Sequence, residues 1–204
     1  MTAGLNTGNR GVSLVILMMA IVVILGLTGA VASLVQIDTS IAMNYRRSVD
    51  LLYAAEAALE LVVQDLSRVR SWDKMLRGRA ASRLWSRDPR VVMIDGTVLD
   101  LAQVTADLPR GRGEAARAAV WHFVGQTQLE SVSRVQFSPE PNVVAVWLSD
   151  DLEDTDGDPL SDSNMRLSVY AVAFGAGRSR RAIRATVRRH VAGWVEVTSW
   201  RLVR

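Results

Sequence analysis

The hydrophobic positions of the chain change pattern twice. From Val12 to Ile37 no residue is charged, and Val12 to Val35 is almost wholly apolar (VSLVILMMAIVVILGLTGAVASLV). At about 1.5 Å per residue that run reaches ~36 Å, enough to cross a hydrocarbon core of roughly 30 Å. It is too long for an ordinary signal-peptide core. The polar stretch before it, MTAGLNTGNRG, carries Arg10 and favours a cytoplasmic start, so the remainder is expected to be exported.

Past Ile37 the period becomes that of an amphipathic helix. Asp38, Arg46, Asp50, Glu56, Glu60 and Asp65 mark wet faces, while Leu52, Ala55, Leu59, Val62 and Leu66 recur every three or four residues as an apolar stripe. Neither proline nor glycine interrupts residues 33 to 70, so span and stripe read as one helix ending between Arg70 and Gly78. The stripe is expected to lie on a sheet.

After Pro89 the period falls to two. Val91 to Leu99 predicts a hairpin, with Asp95-Gly96 suiting a type I′ turn. A short helical portion is expected before the loop at Pro109 to Gly113, and another turn of helix at Glu114 to Ala119. Strands are expected at Val120 to Val124, Ser131 to Phe137, Val143 to Leu148, Leu167 to Phe174, Ala182 to His190 and Trp194 to Val203. Ile183, Ala185 and Val187 alternate with Arg184, Thr186 and Arg188, giving one buried and one wet face. The expected class is α+β: a long N-terminal helix, half membrane-spanning and half packed on an antiparallel sheet. Its divisions are a leader at 1–11, a transmembrane half at 12–37, an amphipathic half at 38–77 and a globular head at 78–204.

Composition narrows the possibilities. The 204 residues suit one compact domain plus one long element. Without cysteine, no disulfide or thiolate metal site supports the fold. The net charge of +3 comes from scattered arginines, with Lys74 the single lysine, and no nucleic-acid module accompanies them. No phosphate-loop, HExxH or G-x-S-x-G pattern occurs, and His122 and His190 are isolated, so no catalytic residue is assigned. The six tryptophans are expected in the core and at interfaces.

Arg10-Gly11 immediately before the apolar run resembles the processing site of class III (prepilin) signals. The segment MNYRRSVDLLYAAEAALELVVQDL, with Asn44, Arg46, Arg47 and the Ala54-Ala55-Glu56-Ala57-Ala58-Leu59 block, is similar to the N-terminal region of PilX-type minor pilins of type IV pili. That resemblance covers about 57 residues, from Arg10 to Leu66. It implies a pilin-like fold, cleavage after Gly11, a mature protein starting at Val12 and N-methylation there. It also implies a place in the inner membrane with a periplasmic C-terminal domain, then in a pilus or pseudopilus. The implied partners are the prepilin peptidase, an inner-membrane assembly platform, other minor pilins and the major pilin, with lipid around the span before assembly and no nucleic acid. Major pilins carry a glutamate at the fifth mature position. Here that position is Ile16, as in the K-type subunits placed at filament tips.

Other readings remain open on the residues alone. A minor pseudopilin of a type II secretion system shares this beginning, and a signal-anchored periplasmic binding protein or a tethered enzyme fits a bare anchor. Ala30-Val31-Ala32 before Ser33 resembles a secretory cleavage site. Gly26 and Gly29 fit either local melting in a filament or close helix contact.

One stretch carries candidate metal chemistry. Asp150, Asp151, Glu153, Asp154, Asp156, Asp158 and Asp162 follow one another without a basic residue among them. Asp154-Thr155-Asp156-Gly157-Asp158 spaces carboxylates at alternate positions around a glycine, as loops that wrap Ca²⁺ in oxygen ligands do. Asp154, Asp156, Asp158 and Asp162 are the expected ligands of a calcium ion. Pro159 and Met165 occupy positions where an EF-hand has glycine and glutamate, so the loop is not an EF-hand. The alternative is a hydrated loop.

Overall fold

A computed structural model describes residues 9–78, 82, 84–108, 119–129 and 143–203. The expected strand at Ser131 to Phe137 and the loop at Pro109 to Gly113 lie outside the described residues. So do most of the leader and the helical turn expected from Glu114.

Helix α1 (Asn9–Arg68) runs unbroken for 60 residues, through Gly26, Gly29 and the Ala30-Val31-Ala32 stretch. It is long and apolar enough to cross a membrane, with a mean hydropathy of 2.9 over its most apolar window. Its few polar side chains there bond locally: Thr28 Oγ1 donates to the Ile24 carbonyl at 2.8 Å and Ser33 Oγ to that of Gly29 at 3.0 Å. Such back-bonding satisfies the Thr28 and Ser33 hydroxyls within the helix itself, as an apolar surrounding would require.

From Leu51 onward α1 has a buried face. Leu51, Ala54, Ala55, Ala58, Leu59, Val62 and Leu66 form the stripe, while Leu52 is partly buried beside it. Three alanines, Ala54, Ala55 and Ala58, lie in the middle of this face. The helix stops at Arg68, earlier than the Arg70 to Gly78 boundary expected from the pattern, and a separate turn α2 (Asp73–Leu76) follows. Tertiary bonds end it: Trp72 Nε1 donates to the Leu66 carbonyl, and the Arg189 guanidinium donates to those of Leu66, Val69 and Arg70. Carbonyls captured in this way no longer accept from a following turn.

The sheet is five-stranded and antiparallel, in the order β3 (His122–Gln128), β4 (Val143–Asp150), β5 (Arg166–Phe174), β6 (Arg180–Arg189), β7 (Val195–Val203). One face meets α1 through Val144, Val146 and Leu148, Leu167, Val169 and Ala171, and Ile183, Ala185 and Val187. The alternation expected in β6 is present, with Arg184, Thr186 and Arg188 on the wetter side.

β4 and β5 are buried on both faces, apart from Arg166, because the second face is covered too. There the hairpin β1 (Arg90–Val92) and β2 (Val98–Asp100) and helix α3 (Leu101–Asp107) supply Val91, Met93 and Leu101. These pack with Leu108 and Trp121 over Trp147, Tyr170 and Phe174. Asp100 caps α3, accepting from the backbone N–H groups of Ala102 and Gln103 at 2.9 and 3.2 Å. The hairpin turn is not type I′: Gly96 is left-handed at φ 77°, but Asp95 is not. Met93 accepts from Gly96 and donates to Thr97, closing a three-residue loop with glycine at its last position.

Of the six tryptophans, Trp72, Trp85, Trp121 and Trp147 are buried, and Trp194 and Trp200 are exposed.

Candidate functional site

Strand β4 ends at Asp150, and the chain then turns through residues 151 to 165 before re-entering the sheet as β5. A chain of side-chain-to-backbone bonds folds this acidic loop. Asp151 accepts from Glu153 N–H, Asp154 from Asp156 N–H, Asp156 from Asp158 N–H and Asp158 from Leu160 N–H. Each is the short-range turn that aspartate favours. Gly157, left-handed at φ 84°, lets the loop reverse between the last two.

Ligand oxygens of Asp150, Asp154 and Asp156 all lie within 4.8 Å of one another. Two oxygens on one Ca²⁺, each about 2.3–2.6 Å from it, stand up to ~5 Å apart, so the triad has the span a calcium ion requires. The donor set is wholly hard oxygen, which suits Ca²⁺ or Mg²⁺ over a softer metal.

Asp150 is 6% exposed and its Oδ1 has no hydrogen-bond partner. Burial pushes its carboxyl up to about 7, against the lowering effect of the Asp151 N–H, and the charges of Asp154, Asp156 and Asp162 push the same way. A buried carboxylate oxygen without donor or cation is expensive. A cation among the three acids would relieve it.

Asp154, 4% exposed, is held differently. Burial raises its pKa, but the hydroxyl and N–H of Ser163 and the N–H groups of Asp156 and Asn164 outweigh burial and leave it below the usual carboxylate value. It is ionised and anchored before any ion arrives.

The other two expected ligands do not join the triad. Asp158 Oδ2 lies 3.7 Å from Arg77 Nη2. Asp162 Oδ1 accepts from Arg166 N–H, and its own N–H donates to Asp73 Oδ1 at 3.0 Å. Burial pushes the Asp162 carboxyl up to about 6. These two acids tie the loop to α2 and to the start of β5, while the third member of the cluster, not anticipated from spacing, is Asp150. Its signal in the sequence was its place as the last residue of an apolar strand, where an acid is buried by the strand itself.

Gly11 lies in the first turn of α1, with Val12 next to it, and Ile16 follows about one turn later, fully outward. No protein-family model matches the chain, and neither a curated protein nor a solved structure matches it.

Proposed function

We propose that this chain is a membrane-anchored structural subunit of a type IV pilus-like filament, a minor pilin at or near the tip, and not an enzyme. The observation that supports this reading is the single 60-residue helix α1. Its first part is an uncharged apolar run from Val12 to Ile37, and its last part packs a narrow alanine-leucine stripe on a sheet. One element of that kind can hold a subunit in the inner membrane and later exchange lipid for the apolar sides of neighbouring helices, with the head exported. The exposed apolar residues of that run have no use in water, but they suit both environments.

Cleavage after Gly11 would deliver Val12 as the new N-terminus while leaving the apolar run whole. The acidic loop adds a second element to the reading. Asp150, Asp154 and Asp156 would hold a Ca²⁺ ion, favoured by the unpartnered Asp150 Oδ1. The ion supplies positive charge alone, and Asp158 and Asp162 fix the loop to α2 around it.

Mass spectrometry of the N-terminal peptide from cells with the assembly machinery tests the filament reading. A terminus at Val12, absent in Gly11→Ala, supports it. A terminus at Ser33 indicates ordinary secretion and removes the filament function.

A further inference from the structure

Strand β7 pairs with β6 alone, so among the described residues its outer edge is an unpaired row of backbone N–H and C=O groups. An edge of this kind templates another strand unless lysine, proline or a bulge blunts it. β7 contains neither lysine nor proline. Its register shift falls opposite Thr186 and Val187, leaving the ladder from Ser199 to Val203 regular.

Side chains on that regular stretch sort by face. Trp200 and Leu202 stand opposite Ala185 and Ile183, on the face that α1 covers further in, yet they are 53% and 42% exposed. Arg201 points to the other face, directly opposite Arg184. Arg180 lies four positions before Arg184 on β6 and shares that face.

Like charges facing each other across a strand pair repel. Arg184 is half-buried, its guanidinium over the Trp121 ring at 5.4 Å, and Arg201 helps to depress its pKa after burial. Arg180, Arg184 and Arg201 stand in none of the ion pairs seen among the described residues, such as Arg166 with Glu153 and Arg188 with Glu196. The edge thus offers free backbone groups, an aromatic-aliphatic strip on one side and, on the other, two facing arginines of which Arg184 alone feels an acid, Asp151, without an ion pair.

We propose that the free edge of β7 docks an extended segment of a partner polypeptide in which acidic and aliphatic residues alternate. A strand presents alternate side chains to opposite faces. Carboxylates at every second position would meet Arg184 and Arg201, and the aliphatic residues between them would cover Trp200 and Leu202. Backbone bonds to the edge supply affinity, and the two faces supply selection.

A second copy of this chain does not offer such a strand. Its acids concentrate in the loop after β4, and the one acid of β7, Glu196, is held by Arg188 at 2.7 Å and by His190 at 2.8 Å. The inference is independent of the filament reading, since it concerns the head alone.

The test is fluorescence anisotropy with the full chain in detergent micelles and a labelled, end-capped peptide of alternating valine and glutamate. Saturable binding is expected. It should weaken about tenfold or more in Arg201→Glu and in high salt, survive in Arg201→Lys, and fall in Trp200→Ser. The same peptide N-methylated at every amide keeps its side chains but has no backbone donor left on either edge, and should not bind. Absence of binding by the valine-glutamate peptide overturns the proposal. Equal binding by a valine-lysine peptide or by the N-methylated peptide does so too. Dimerisation of the chain that Arg201→Glu abolishes would assign the edge to a second copy instead. Arg201 is exposed, so its variants are expected to fold.

Discussion

Arg189 on β6 donates from Nη2 to the carbonyl oxygen of Leu66 in the last full turn of α1, at 2.7 Å. The same guanidinium reaches the carbonyls of Val69 and Arg70 and lies 4.5 Å from the centroid of the Trp72 ring. One side chain of the sheet therefore caps the long helix, neutralising the negative end of its dipole where the chain turns into α2.

Arg189→Ala is expected to destabilise the head by about 2–4 kcal/mol, from charged hydrogen bonds worth roughly 1.5–3 and a cation–π contact of about 0.5–2. Arg189→Lys keeps the charge but not the planar fork, and should recover only part of the loss. Chemical denaturation of the full chain in detergent measures both. Equal stability of the wild type and Arg189→Ala would show that the cap is energetically idle.

Gly125 is expected to tolerate no side chain. A Cβ there would lie 2.5 Å from Trp85 Cβ and 2.9 Å from the Ser86 carbonyl oxygen. This close approach is where β3 shifts register and where Ser86 forms an isolated bridge with Gln126. Gly125→Ala should cost about 1–3 kcal/mol, the range for an overpacked site. It should also loosen Trp85, whose Nε1 donates to the buried Asp65 carboxylate at 2.9 Å. A red shift of tryptophan emission with a lowered Tm is the expected signature, and an unchanged Tm would mean that the bridge segment moves aside freely.

The sequence and the fold agree most closely where period alone decides the outcome. The run from Val12, the stripe of α1 and four of the expected strands are all fixed by apolar spacing, whereas β3 runs from His122 to Gln128 and not from Val120 to Val124. Less legible were features set by contacts distant in the chain. The end of α1 depends on Arg189, more than a hundred residues away. The hairpin and the short helix after it were both expected but, because elements this short carry no sign of what they pack on, not their forming a second layer over β4 and β5. The continuous apolar run VVAVWL in β4 was its trace, since a strand wet on one face would alternate. In the acidic loop, spacing pointed to Asp154 and Asp156, which the fold brings beside Asp150. It could not point to Asp150, whose place in the cluster comes from burial at the end of a strand.

Ile16 gives a prediction on assembly that follows from the filament reading. A subunit with no successor above it has no neighbouring amino terminus to neutralise, so Ile16→Glu should neither be required for assembly nor improve it. A carboxylate within the apolar run carries its own cost, roughly 2.5–3.5 kcal/mol at a span's centre. Immunogold labelling should place the head at filament ends. Uniform labelling along shafts would rule out the tip position.

The acids of the loop set a pH dependence for the metal-free chain. Asp150 and Asp162 have folded pKa values of about 7 and about 6, both raised from 3.8 chiefly by burial. Between pH ~4 and ~7 these two carboxyls therefore hold more protons in the folded chain than in the unfolded one, and their contribution to stability is greatest below the unfolded value and falls as pH rises through that window. His122, whose pKa burial lowers, opposes part of that fall. In chelator, urea midpoints should be higher at pH 5 than at pH 7.5, and Asp150→Asn should flatten the difference. An Asp150→Asn variant with the same slope as the wild type would remove Asp150 as its source.

Calcium should reverse that loss at neutral pH. Folded and metal-free, the chain keeps an unpartnered Asp150 oxygen beside Asp154 and Asp156, with their ligand atoms within 4.8 Å. An ion bound there cancels their repulsion and couples the end of β4 to the loop that Asp158 and Asp162 tie to α2. Linkage adds about 2.7 kcal/mol when free calcium is about a hundred times Kd, so Tm should rise with calcium relative to chelator. Asp154→Ala with Asp156→Ala should abolish the rise, and so should Asp150→Asn. Asp158→Asn separates the two candidate ligand sets: it should leave the calcium response intact while lowering Tm slightly through loss of the Arg77 contact. Magnesium should substitute poorly, because it needs a smaller octahedral shell than three fixed carboxylates at this spacing provide. A calcium response lost in Asp158→Asn but kept in Asp150→Asn would move the ion to the second half of the loop. A Tm unchanged across millimolar calcium, with no heat in a titration, would leave the acids as solvated surface.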